Sequence, residues 1–473
     1  MAEIPVDIVK WIEQVVDGRF VGSRHVAAGG RDGYFVDVER SGEPLALFLQ
    51  LGRQGAGFDT STVNVEKEAE VLRALAPSGV PVAKVWGVHG AKQALLVGRL
   101  AGRVWMHPPD TAEEQLSVAR DFIRHLATWH RLDPRELNLP SYGPVLSSRE
   151  HQRLNLEHMN RQARAEGGEI EPLLRISLDF LERKLPDYEG PTVLLQGDTG
   201  PGNLMFENGK VTGVVDWELA HFGDPMDDIA WVTWRTTQHN FTHLPGRLKE
   251  YEALSGHALD DARIQYYRVN ACVRLACAGS GPWGGFGVTN MGAQRPRPAQ
   301  TAAPTDADFD RSADGSTFVF TILHRRMRLE ALMAVMGLES GPPQEDLAQA
   351  PPKEYGQMYE DMLARLQVAV KRTGDKMASN VMKGVARSLK YLKEADRNGA
   401  WFDQMEIEDI GALLGRKPAT VVEGRQALYA AATARKVSDE DYVGYHWRRF
   451  LRDEQVMRAA AGSVYGRGWA PFA

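Results

Sequence analysis

Cysteine is nearly absent from this chain: its 473 residues hold two, Cys272 and Cys277. Both sit in YYRVNACVRLACAG, a stretch of helical pattern with no histidine among them. A disulfide framework and a zinc site are therefore not expected, and a reducing, cytoplasmic compartment is. Long apolar runs are missing as well. None approaches the length that spans a bilayer, and Met1 to Phe20 carries Glu3 and Asp7 where a secretory signal would be unbroken and apolar, so neither signal, anchor nor membrane partner is expected. Nor is there a surplus of positive charge. Lys+Arg 56 against Asp+Glu 62 gives a formal net charge of -6, which argues against a nucleic-acid partner. What remains is the composition of an ordinary globular protein, 43% hydrophobic and 25% charged, long enough for about three domains.

The informative stretch runs from Pro191 to Trp234. Val193 to Leu195 reads as a buried strand that breaks at Gln196-Gly197-Asp198 into a loop holding Gly200, Pro201 and Gly202. Asn203 follows five residues after Asp198. A short apolar run, Leu204 to Phe206, meets the hairpin signal Asn208-Gly209, and a return strand, Val211 to Val215, delivers Asp216. Two carboxylates and a carboxamide are thus gathered in one stretch. Phosphoryl transfer needs that set: one carboxylate to orient the attacking hydroxyl, and a second with an amide oxygen to hold magnesium against nucleotide phosphates. The spacing D-x-x-x-x-N, then Asp across a hairpin, follows the order of these groups in protein kinases. A single Asp in a turn is more often a solvated turn former or a cap. The joint spacing of Asp198, Asn203 and Asp216 outweighs that plainer reading.

QGDTGPGNLMF followed by VVDWELAHFGDPMDDIAWV resembles the aminoglycoside phosphotransferase and choline-kinase-like family. Its pattern is His-Gly-Asp-x-x-x-x-Asn, then Ile-Asp-Trp/Phe-Glu, then Gly-Asp-Pro and Asp-Leu-Ala. The resemblance covers roughly residues 20 to 335. It implies an α+β, bilobal protein-kinase-like fold with a small β-rich N-lobe and a larger, mostly helical C-lobe. It also implies transfer of the γ-phosphoryl group of ATP to a hydroxyl of a small molecule, with Mg2+. Asp198 would be the catalytic base, and Asn203 and Asp216 the metal ligands. The order of residues looks most like the branch fused to, or allied with, acyl-CoA dehydrogenases, whose members phosphorylate hydroxyacyl-CoA thioesters. Aminoglycoside, choline, sugar and nucleoside acceptors stay open. A rival from another class is a catalytically silent nucleotide-binding scaffold, which draws on two departures from the pattern: Gln196 stands where the family has His, and Gln50 where it has a strand cation. Gln196 can still donate and accept hydrogen bonds and so brace the loop.

Upstream, His25 to Val38 reads as a glycine turn between two strands. Gly29, Gly30 and Gly33 are candidates for covering the nucleotide, because glycine lets backbone amides approach phosphate closely, although glycine hairpins without a ligand are commoner. Leu45 to Leu51 alternates as a strand. With Gln50 uncharged, either Arg53 reaches back over the phosphates, or the glycine loop and metal serve alone. Glu68, in the helical pattern Val65 to Leu75, aligns with the family Glu that pairs with the cation, against the plainer reading of a solvated helix face. Val97 to Leu100 is expected as the interlobe hinge that meets adenine. His130 is taken as structural, and so are Asp224, Asp227 and Asp228, as turn former and helix caps. The charged helices between Pro140 and Glu189 are expected to line the acceptor side.

Three domains are expected: 1–100 as nucleotide-binding N-lobe, 101–340 as catalytic and acceptor-binding C-lobe, and 353–473 as a helical C-terminal domain. Breaks are expected at Ala293 to Ser316 and Gly341 to Pro352, both poor in large apolar residues. The last domain reads as helices over Met358 to Val370, Met377 to Leu392, Ile407 to Leu414, Thr420 to Ala434 and Asp439 to Met457. Packing or homodimerisation is favoured for it over a role as a lid.

Overall fold

The computed structural model describes residues 4–28, 31–52, 64–104, 111–165, 170–239, 241–277, 316–339 and 353–472. Gly29, Gly30, Arg53 and nearly all of the two expected breaks lie outside them. Two compact units are present: 1–157 with 185–271 and 470–473, and 158–184 with 272–469.

In the first unit, helix α1 (Val6–Val16) precedes strands β1 (Arg19–Ala28), β2 (Arg31–Arg40) and β3 (Glu43–Leu51). Helix α2 (Val65–Leu75) follows, then β4 (Val85–His89) and β5 (Ala94–Gly98). The strands form one antiparallel sheet in the order β1-β2-β3-β5-β4. Alternation along β2 and β3 decides its faces. Tyr34, Val36, Val38, Leu47 and Leu49 are buried in one cluster with Ile8, Ile12 and Val16 of α1. Residues of opposite parity, Arg31, Gly33 and Gln50, therefore share the other face. Gly33 pairs with Val26 and with Gln50 inside the sheet, so it lies within β2 rather than in the turn before it.

The same unit continues through α3 (Ala112–His130), whose buried side includes Val118, Phe122, Leu126 and Trp129. Strand β6 (Arg103–Val104) pairs with β8 (Leu204–Glu207), which pairs with β9 (Lys210–Val214). Asn208 and Gly209 both have positive φ, 50° and 75°, the conformation the Asn-Gly hairpin signal predicts. Strand β7 (Val193–Leu195) pairs with β10 (His221–Gly223), and α6 (Pro225–Gln238) starts just beyond; α4 (Ser148–Ala165) and α5 (Pro172–Arg183) precede β7 in the chain. This is the α+β arrangement expected: a β-rich beginning and a mostly helical remainder.

The second unit is helical throughout its described residues. Its core joins Leu173 and Ile176 with Leu329, Leu332 and Met333 and with Ile410, Leu428, Val443 and Phe450. The residues after 353 thus share one core with Pro172–Arg183 and Ser316–Met336, a wider unit than 353–473. Lys376–Leu414 is a single helix of 39 residues where the pattern predicts two. The intervening KEADRNGAWFDQME holds no proline, and its lone glycine, Gly399, costs about 1 kcal/mol, too little to end a helix packed on both flanks. Cys277 gives its thiol to the Met159 carbonyl, and burial pushes that thiol up to about 12. It is an unreactive packing residue.

Candidate active site

The loop after β7 is shaped by glycine. Gly197 has φ 83°, and a Cβ there would lie 2.4 Å from the Leu219 carbonyl oxygen; at Gly200, φ 144°, it would lie 2.6 Å from Arg235 Cβ. Only glycine fits this path. The loop carries Asp198, 9% exposed, and Asn203, 8% exposed. Asn203 Nδ2 donates to the Asp198 carbonyl at 2.8 Å and to Asp198 Oδ2 at 2.9 Å. Both amide hydrogens are spent there, so the capacity left to the side chain is its oxygen. Asp216, two residues past the end of β9, lies in the left-handed region, φ 65°, which Asp and Asn tolerate best after glycine. Gln196, fully buried, holds that conformation: its Nε2 donates to the carbonyls of Val215 and Asp216 at 3.0 and 2.8 Å, while its Oε1 accepts from the Asp198 amide at 3.2 Å. Gln196 thus braces the loop from both ends.

Two supports of this loop come from helices. Asp228, fully buried on α6, accepts the Gln196 and Gly197 amides, each at 2.9 Å, and meets His130 Nε2 at 3.1 Å. His130 Nδ1 in turn meets the Tyr251 hydroxyl at 2.8 Å. Burial works to raise the Asp228 carboxyl, yet the hydrogen bond and charge of His130 and the backbone donors hold it below its ordinary value. Asp228 is more than a helix cap; that role falls to Asp224, which accepts the Met226 amide at 2.9 Å and pairs with Arg263 at 2.7 Å. The second support is Arg235, two turns further along α6. Its Nε donates to Asp198 Oδ1 at 2.7 Å and its Nη2 to Asp198 Oδ2, a two-pronged grip. Reading the sequence for motifs passes over Arg235, because nothing local to the helix marks it.

Across the site, Glu68 on α2 is 2% exposed and pairs with Arg31 at 2.5 Å, not with a cation from β3. Arg31 also reaches Glu218 at 3.3 Å. The charges of Glu68 and Asp198 lie close enough to act on Asp216 and Glu218, and Arg31 and Arg235 are the guanidiniums near these carboxylates. Burial first, then Glu218, Asp198 and Glu68, push the Asp216 carboxyl well above its ordinary value. Asp216 follows Val215, whose amide donates to the Asn203 backbone carbonyl at 3.0 Å, and the negative charge gathered at Asp216 suits a divalent cation. Among the described residues no cluster of three metal-ligating side chains is present. Magnesium does not require one, since it is held by one or two carboxylates with phosphate and water completing its shell.

The profile of the phosphotransferase enzyme family, APH, matches residues 25–264. The chain belongs to this phosphotransferase family. The matched span contains all of Arg31, Glu68, Asp198, Asn203, Asp216 and Arg235. Among similar proteins, mouse acyl-CoA dehydrogenase family member 11 is 27% identical over 178 residues, covering 35% of this chain and 22% of that protein. The Arabidopsis thaliana protein named probable acyl-CoA dehydrogenase IBR3 is 29% identical over 208 residues, 40% of this chain and 25% of that protein. The matched stretch is thus about a quarter or less of these relatives. A solved aminoglycoside-3'-phosphotransferase of type VIII is 23% identical, covers 53% of this chain and 92% of that one, and superposes with a TM-score of 0.41. The fold of this phosphotransferase is the bilobal, protein-kinase-like one, and no helix among its described residues is long and apolar enough to cross a membrane.

Proposed function

We propose that this phosphotransferase moves the γ-phosphoryl group of ATP to a hydroxyl of a small molecule, with Asp198 as the group that receives the hydroxyl proton. The observation that carries this is Asp198 and Asn203 bonded to one another in one braced loop, with Asp216 tied to the same loop through Gln196. Arg235 fixes the Asp198 carboxylate in one orientation, which supplies the positioning that phosphoryl transfer chiefly demands. Asn203 Oδ1 and the Asp216 carboxylate would hold magnesium. When bound, that ion neutralises charge developing on the phosphoryl oxygens. The relatives carry acyl-CoA dehydrogenase names, and this favours a hydroxyacyl-CoA thioester over an aminoglycoside as acceptor.

A nucleotide-binding scaffold without turnover is the second reading, favoured by the firm pairing of Asp198 with Arg235. A coupled assay with ATP, magnesium and a panel of hydroxyacyl-CoA thioesters, aminoglycosides and choline separates the two. Asp198→Asn should lower turnover by about two to four powers of ten and leave nucleotide affinity near wild type. Nucleotide binding with no phosphorylation of any acceptor and no slow ATP hydrolysis would leave the scaffold reading standing instead.

A further inference from the structure

We infer that Arg31 is the cation that grips the nucleotide phosphates, supplied from β2 in place of the charge that Gln50 lacks on β3. The inference rests on the phosphotransferase reading above and adds a residue to it. Register explains how the substitution works. Gly33 stands directly opposite Gln50, and Arg31, two residues before it, is the diagonal neighbour of Gln50 on the same face of the sheet. Gly33 places no side chain between them. The guanidinium then lies where a longer Gln50 cation would put its charge: Arg31 Nη1 donates to Gln50 Oε1 at 2.7 Å and to Glu68 Oε2 at 2.5 Å.

Further features separate this from an incidental ion pair. Glu68 is 2% exposed, and an exposed pair of this kind would contribute little. The second terminal nitrogen, Nη2, is buried without a hydrogen bond of its own and lies 3.3 Å from Glu218. Glu218 is two residues beyond Asp216, so one arginine links the sheet, α2 and the loop that delivers the proposed metal ligand. A guanidinium has five donors in a planar fork, and this one keeps donor capacity after serving Gln50 and Glu68. Gln50 thereby gains a role: its oxygen orients the cation that it does not itself supply.

The test is titration calorimetry of the full chain with ATP, ADP and adenosine in the presence of magnesium. Arg31→Gln should weaken ATP and ADP roughly tenfold or more, as truncation of a buried charge partner does, and leave adenosine unchanged. Arg31→Lys should lose less, and the exchange variant Arg31→Gln with Gln50→Lys should restore most of the ATP affinity. Thermal unfolding of each variant identifies those that fold; the exchange and Lys variants keep the test open if Arg31→Gln does not. Wild-type ATP affinity in folded Arg31→Gln would overturn the inference, and so would an equal loss for adenosine, which marks a merely structural ion pair. A folded exchange variant with no recovery would overturn it too. Wild-type protein that binds no nucleotide would overturn the phosphotransferase reading itself, a result distinguishable from the failure of Arg31 alone.

Discussion

Replacing Asp216 by Asn should stabilise the ligand-free protein while removing its response to magnesium and ATP. Asn is the informative variant because the residue has φ 65°, where Ala would add backbone strain and confuse the result. Arg31 serves Glu68 and Glu218, and Arg235 serves Asp198; among the described residues no cation pairs with Asp216. Its carboxylate is crowded by three others, which with burial raises its proton affinity well above the ordinary value. Exchanging buried ionic groups for neutral ones stabilises by about 1 to 4 kcal/mol where compensation is poor. Asp216 keeps part of its surface open, so the gain belongs at the low end, about 1 to 2 kcal/mol. For a unit of this size each kcal/mol moves Tm by about 2 to 4 °C, giving a rise of about 2 to 8 °C. The sign with pH follows from the raised folded value. The wild-type penalty is absent below the ordinary carboxylate range, where the group is protonated in both states, and grows as pH rises toward the folded value. The gain from Asn should therefore be largest in alkaline buffer. In wild type, ATP with magnesium at about a hundred times its Kd should add about 2.7 kcal/mol, and Asp216→Asn should lose that increment. Scanning fluorimetry at several pH values, with and without the nucleotide, reads both effects. A ligand-free Tm equal to or below wild type would refute the crowding, and a retained magnesium-dependent shift would remove Asp216 from the metal site.

Arg235→Ala should destabilise the protein by about 2 to 3 kcal/mol and lower turnover through a mobile Asp198, whereas Arg235→Lys, which keeps the charge without the fork, should fall between; equal turnover in all three refutes the positioning role. Asp228→Asn places an amide against two backbone donors and removes the partner of His130, and should cost about 3 kcal/mol in urea unfolding, with unchanged stability counting against the brace. His151 accepts the Leu146 amide at 3.0 Å and is pushed down to about 4 by burial, then by His221. The unfolded chain takes up this proton first, so wild-type stability should fall as pH drops from about 6.5 toward 4, and His151→Gln should flatten that slope in acid unfolding.

Much of the fold was legible because it is locally encoded. Val65–Leu75 forms the helix its pattern predicts, capped by Asn64 on the Lys67 amide, and Asn208-Gly209 makes the hairpin its residues demand. The spacing of Asp198, Asn203 and Asp216 was likewise readable, since covalent connection through one loop and one hairpin leaves these residues few places to go. Gln196 as a brace followed from its donor and acceptor inventory. The extent of Lys376–Leu414 did not, because a weak break in pattern yields to packing along the whole helix. Above all, the partners of the charged groups were hidden. Arg31 finds Glu68, and Arg235 finds Asp198, each across 37 residues of sequence. Sequence by itself determined which polar groups the central loop would bring together, because local geometry is set by short-range sterics and hydrogen bonding. Only tertiary structure decided which cation serves which carboxylate, because sheet register and helix docking, neither encoded in any single segment, choose the neighbours of a long side chain.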